Sequence, residues 1–283
     1  MPNPTKQKDQ FVVAYITDPV HSEIVVSHAT HLATMLKKGL ILLHISDPRY
    51  TKLSTDDAGA MLKSLQSDLL LQGHPHVTYA ALKGETKPII DALPVLLNAV
   101  VAVAQVDSQA GRHAPTHKKE LLRNFSECKI AFLTVQEALS DIGQTKHVAF
   151  SIDYRKESKE KLVWASYFAR FNGSSLHTLY YDYTDEAIRY KWYSNMQFMH
   201  KFFTSLGVSF VPHVLKKRTT FPDVSALDFA NENGIGTFIA VTTNERDGIE
   251  FFIGVQEHRI MVNPHKIPVL FINPRDDIYV LCD

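Results

Sequence analysis

Cysteine is nearly absent: the 283 residues contain two, Cys128 and Cys282, and no CxxC. That excludes a disulfide framework and a cysteine-rich zinc site. An excess of either charge is missing too, with 30 Lys and Arg against 30 Asp and Glu. A neutral chain has no bulk attraction for nucleic acid or an anionic membrane. The longest nearly apolar run, Ala92 to Ala104, is too short to span a bilayer and contains Pro94 and Asn98. The opening MPNPTKQKDQ is polar and has no apolar centre of a secretory signal. These absences predict a cytoplasmic protein in a reducing compartment, with no nucleic-acid or membrane partner. No GxSxG elbow, Walker loop or HExxH helix is present either.

What is present is a 45% hydrophobic chain whose apolar stretches alternate between two periods. Phe11 to Ile16 is a short apolar run bounded by Thr17, Asp18 and Pro19, as a buried parallel strand would be. Val25, His28, Leu32 and Leu36 then recur at helical spacing, and Gly39 closes that helix. Further strands are predicted at Leu40–Ile45, Val77–Leu82, Val100–Val106 and Ile130–Val135. Helices are predicted at Ser54–Gln72, at Gly84–Leu97 with a kink at Pro94, and at Lys118–Phe125. The alternation resumes with strands at Val148–Ile152, Leu176–Tyr181 and Val208–Val214. The helices there are Lys159–Phe171, Asp185–Leu206 and Phe221–Asn233. It ends on Gly236–Pro274, an apolar strand, polar loop, helix and second apolar strand. Strands alternating with helices argue for right-handed βαβ units and a parallel sheet.

The pattern repeats in register. Ile16 matches Ile152 and Leu32-Ala33 matches Phe168-Ala169, each 136 residues apart, and Lys129-Ile130 matches Lys266-Ile267 at 137. Two homologous α/β domains follow, 1–143 and 144–283, joined at the polar SDIGQTK.

In Leu32 to Ser46 (LATMLKKGLILLHIS), His21 to Glu23, Ser151 to Leu162 (SIDYRKESKEKL) and the stretch FFIGVQEHRIMVNPHKIPVLFI, the chain resembles a tandem universal stress protein. The resemblance implies a five-stranded parallel sheet per domain, of order 3-2-1-4-5 with helices on both faces. It also implies that the halves pair through their last strands as a pseudo-dimer, leaving the whole chain a monomer or a homodimer. ATP-binding members carry an aspartate after the first strand and a G-x2-G-x9-G loop followed by Ser or Thr. Glycines let the backbone approach phosphates, and the hydroxyl donates to a phosphate oxygen.

Against that pattern the first half places Thr17 at the aspartate, with Asp18 one place beyond. Thr116 falls at the third glycine, His117 at the hydroxyl, and Val106 and Val103 at the first two glycines. That site is predicted to be lost. The second half keeps Asp153 and Gly254 but has Val255 for the hydroxyl, Asn244 and Val241 for the other glycines, and Gly248 displaced. Thr242, Thr243 and Arg246 are donors near an anion, and Tyr181 stands where a base would stack or where its ring fills the pocket. The candidate ligand set is therefore Asp153, Tyr181, Thr242, Thr243, Asn244, Arg246, Gly248, Gly254 and Val255, for ATP or another adenine nucleotide. The bland reading of Asp153 is a cap on the following helix.

His28 and His31 share a helix face at metal-ligand spacing, but no local carboxylate or cysteine completes a set. The aromatic helix around Tyr190, Trp192, Tyr193, Phe198, Phe202 and Phe203 reads as core, as a domain contact, or as a pocket or partner surface. The predicted function is a stress-response binding and regulatory module, not a catalyst, with weakened or lost ATP binding. The alternative is slow ATP hydrolysis at the second domain.

Overall fold

The computed structural model describes residues 9–18, 21–51, 53–215, 222–242 and 250–274, with side chains from 256 onward in the last segment. The first half runs β1 (Phe11–Tyr15), α1 (Ser22–Leu36), β2 (Gly39–Ser46), α2 (Thr55–Leu71), β3 (Val77–Lys83), α3 (Thr86–Leu96), β4 (Ala99–Gln105), α4 (Lys118–Phe125) and β5 (Ala131–Val135). A 3-10 turn over Ile142–Lys146 leads into the second half. There follow β6 (His147–Ser151), α5 (Lys161–Tyr167), β7 (Ser175–Tyr181), α6 (Glu186–Ser205), β8 (Phe210–Leu215), α7 (Pro222–Glu232), β9 (Thr237–Val241), α8 (Glu250–Met261) and β10 (Val269–Ile272).

All ten strands form one sheet, in the order β3-β2-β1-β4-β5-β10-β9-β6-β7-β8. Each half has the 3-2-1-4-5 order and is parallel throughout. The halves meet where β5 and β10 run antiparallel, with Phe132 opposite Phe271, Leu133 opposite Leu270 and Thr134 opposite Val269. Strand side chains alternate between two cores that both cross this seam. Val12, Ala14 and Ile16 face α1, α2, α5 and α6, whereas Val13 and Tyr15 face α3, α4, α7 and α8. On the second face Phe125, Phe132 and Phe271 stack in series at 5.1 and 5.0 Å, carrying one aromatic column from half to half.

One local feature departs from the periodic reading. The helix predicted over Lys159–Phe171 is divided into a 3-10 turn (Lys156–Glu160), α5, and a π-helical turn (Phe168–Asn172) closed by Gly173 at φ 66°. Asn172 anchors that end by donating to the carbonyl and hydroxyl oxygens of Thr145, at 3.0 Å each. Pro94, predicted as a kink, stands inside α3. A proline has no N–H for the carbonyl four residues back; here the Cys128 thiol donates to that Ile90 carbonyl at 3.1 Å.

The linker fits closely against β9. A Cβ on Gly236 would stand 2.1 Å from the Gln144 carbonyl oxygen, so only glycine allows this approach. For the seam itself, Phe271→Ala should lower the unfolding free energy by about 3–5 kcal/mol, the usual cost of emptying a buried aromatic site. Urea denaturation measures it, and a loss below about 1 kcal/mol would mean the column does not hold the halves together.

Candidate functional site

In a doubly wound sheet the ligand crevice lies beyond the carboxyl ends of the strands, where the winding reverses. In the second half that point falls between β6, which pairs with both β7 and β9, and β9 itself. Asp153 lies just past β6 and is buried. Its Oδ1 accepts the Arg155 backbone N–H at 2.9 Å, and its Oδ2 accepts Nε and Nη2 of Arg155 at 2.8 and 2.6 Å. Asn195 of α6 fixes the backbone beneath, donating to the carbonyls of Asp153 and Arg155 at 2.7 and 2.8 Å. Burial pushes the Asp153 carboxyl up, but the charges of Arg155 and Lys161 and the Arg155 hydrogen bonds hold it below the usual carboxylate range. Asp153 therefore engages an arginine two residues on and does not cap a helix.

Below it lies a second set, in which Ser151, Lys161 and Asp223 are buried and Gln256 is half-buried. Ser151 donates to Asp223 Oδ1 at 2.5 Å and accepts from Lys161 Nζ at 3.1 Å, while Gln256 donates to Asp223 Oδ2 at 2.7 Å. Lys161 is 1% exposed. Burial drives its ammonium pKa down, opposed by the charges of Asp223 and Asp153. This set ties β6, α5, α7 and α8 to one point. None of its members was singled out from the sequence. The available signal was a lysine opening the inward face of an apolar helix, KLVWASY.

The remaining predicted residues are dispersed. Tyr181 ends β7 and is buried, its hydroxyl donating to the Pro222 carbonyl at 3.3 Å, so its ring fills the interior. Thr242 follows β9 and faces the seam: its hydroxyl donates to Asn273 Oδ1 at 2.7 Å. The Asn273 amide donates in turn to the carbonyls of Phe125, Cys128 and Ile130 across the halves, at 2.7, 2.7 and 3.1 Å. Thr243, Asn244, Arg246 and Gly248 lie outside the described residues. Gly254 and Val255 fall within α8, which begins at Glu250. Only the first four N–H groups of a helix are free, so the N–H of Gly254 belongs to the helical ladder and not to a phosphate-binding loop.

The first half uses the same local device on a different strand. Asp47, just past β2, accepts the Arg49 backbone N–H and Nε at 3.0 Å each and Nη2 at 2.6 Å. It also accepts the backbone N–H and hydroxyl of Thr86 at 2.8 and 2.9 Å. The Arg49 hydrogen bonds hold its carboxyl well below the usual range. His117, at the expected hydroxyl position, caps α4 by accepting the Lys119 N–H at 3.3 Å. Asp18 pairs with His21 at the surface. His28 donates to the Glu137 carbonyl, and burial pushes its pKa down to about 4. Among the described residues no group of three or more His, Cys, Asp or Glu is arranged to hold a metal ion. Among the same residues no helix is long and apolar enough to cross a membrane.

No protein-family model and no curated protein matches the sequence. Solved structures do. A putative universal stress protein from Pseudomonas aeruginosa UCBPP-PA14 superposes at TM-score 0.66 and 14% identity, over 97% of each chain. The chain has the tandem universal stress protein fold. A universal stress protein from Archaeoglobus fulgidus DSM 4304 gives TM-score 0.64 at 14% identity, over 94% of this chain and 97% of that one. The cytoplasmic domain of a prokaryotic cation chloride cotransporter gives 0.56 at 12%, over 94% and 96%. Identities this low carry the fold and not the ligand.

Two measurements test the buried groups. Lys161→Met removes the buried donor that Ser151 accepts from and should cost about 1–3 kcal/mol, the usual penalty for leaving a buried polar partner unsatisfied. Adding Asp223→Asn should cost much less on that background than in the parent chain. Additive losses in urea denaturation would show that the two do not interact. Asp47 and Asp153 both have folded pKa values below the unfolded one. Their stabilisation is present above about pH 4 and lost as pH falls through it, because the unfolded chain then binds more protons. Stability measured from pH 6 to 3 should therefore fall less steeply in Asp47→Asn and Asp153→Asn than in the parent.

Proposed function

We propose that this chain is a stress-response binding and regulatory module, with weakened or lost ATP binding, and not a catalyst. One observation carries the reading. Asp153, the carboxylate that the family resemblance assigns to the adenosine, is held through both oxygens by Arg155. The interior beside it is filled by Tyr181 and by the Lys161–Ser151–Asp223 set. A module of this kind acts by shifting a conformational or assembly equilibrium when its partner or ligand binds one state better. Its cytoplasmic setting belongs to the same proposal.

The ATP-binding alternative, with slow hydrolysis in the second domain, rests on the retention of Asp153 itself. Isothermal titration with ATP, AMP and cyclic nucleotides separates the two. The parent protein should show no binding tighter than about 1 mM, some 4 kcal/mol. Micromolar ATP binding that Asp153→Ala abolishes would overturn the proposal, and turnover of ATP by the same protein would establish the alternative.

A further inference from the structure

The antiparallel seam puts the beginnings of the first-half strands beside the end of β10. An open cleft of about 1280 Å³ results, on the face that carries α1, α5 and α6. Val100, Ile130 and Ala131 form its first-half side, and Ile272 and Asn273 lie where the halves join.

Its second-half wall is aromatic. Tyr167 stacks on Phe171 with ring centroids 5.6 Å apart, and Trp164 meets Tyr167 edge-on at 5.6 Å. Phe198 and Phe202 of α6 lie in nearly parallel planes at 6.2 Å. The π-helical turn places Phe171 here and leaves it 48% exposed; such turns are frequent at functional sites. The repeat supplies a control. At the positions 136 residues earlier, α1 carries His28, His31 and Met35 in place of Trp164, Tyr167 and Phe171. Only one half has built this wall.

The rim is cationic. Lys38 and Lys129 approach from the first half and Lys156 and Lys159 from the second, with Glu160 the one carboxylate among the described lining residues. The Lys159 ammonium sits 5.0 Å from the Phe198 ring centroid. Of the three amide side chains among the described lining residues two are already engaged: Asn273 donates to three carbonyls and Asn98 donates to the Asp9 carbonyl, leaving Gln10. Little remains to satisfy the N–H and C=O groups of a buried peptide, whose desolvation is costly. A concave wall shared by two halves also suits one inserted chain better than a flat bilayer surface.

We propose that this cleft binds a free long-chain fatty acid, its alkyl chain along the aromatic wall and its carboxylate at the lysine rim. No described residue of the candidate ligand set lines this cleft, so variants on its wall leave that set intact and the test is read independently of the ATP question. Trp192→Phe leaves Trp164 as the sole tryptophan reporter and removes an indole N–H that is buried without a partner. Palmitate added below its micellar concentration should shift Trp164 emission saturably. Affinity should rise roughly fourfold per methylene from laurate to palmitate, the value of burying one CH₂. The Lys129→Glu, Lys159→Glu double variant should bind at least tenfold more weakly. Val163→Glu, at a position 41% exposed on the wall, should do the same without disturbing the fold. No saturable shift, affinity indifferent to chain length, or binding unchanged in both variants would overturn the proposal. So would co-sedimentation with anionic phospholipid vesicles in the absence of palmitate binding.

Discussion

The antiparallel ladder between β5 and β10 closes two sheet edges that each half would otherwise present to solvent. An open edge is a row of unpaired N–H and C=O groups that invites another chain. Joining the edges leaves β3 and β8 outermost, and both are blunted: β3 ends in Lys83, and β8 carries Pro212, which cannot donate to a further strand. The same ladder makes both cores continuous across the molecule. It also sets the fate of a predicted ligand residue. Thr242 leaves β9 beside the seam, and its hydroxyl completes the Asn273 clamp. A residue that was read as an anion donor is part of what holds the halves together.

Much of this frame was legible in the chain. The period-two and helical stretches gave the element order, and a register of 136 to 137 residues made the halves equivalent. From that equivalence, pairing through the last strands followed by resemblance to a known family. What escaped were partnerships formed over long separations. Cys128 reaches the carbonyl opposite Pro94 from 38 residues away, and Asp223 meets Ser151 from 72. Periodicity contains no term for either. The division of the helix predicted over Lys159–Phe171 escaped for a related reason, since Asn172 is held by the linker residue Thr145.

The site residues show the opposite case, a local arrangement whose meaning the sequence hid. Asp47-Pro48-Arg49 and Asp153-Tyr154-Arg155 form closely similar structures: in both, the arginine backbone N–H meets Oδ1 and Nη2 meets Oδ2, while Nε is shared between the two oxygens of Asp47 and goes to Oδ2 of Asp153. One follows the second strand of its half and the other follows the first. The motif is short enough to form wherever an aspartate precedes an arginine by two, so a retained aspartate alone says little about a retained ligand.

That pairing bears directly on affinity. A ligand that needs the Asp153 carboxylate must first detach Arg155, whose guanidinium is 40% exposed in the side chain while the carboxylate is 12% exposed. Removing one partner from a well-buried ion pair costs about 3–5 kcal/mol. Solvent on the arginine side lowers that figure toward about 1–3. Even so, each 1.4 kcal/mol is about tenfold in a binding constant. Rearranging this one contact therefore opposes such a ligand by roughly one to two orders of magnitude, before the Asn195 anchor beneath it is disturbed.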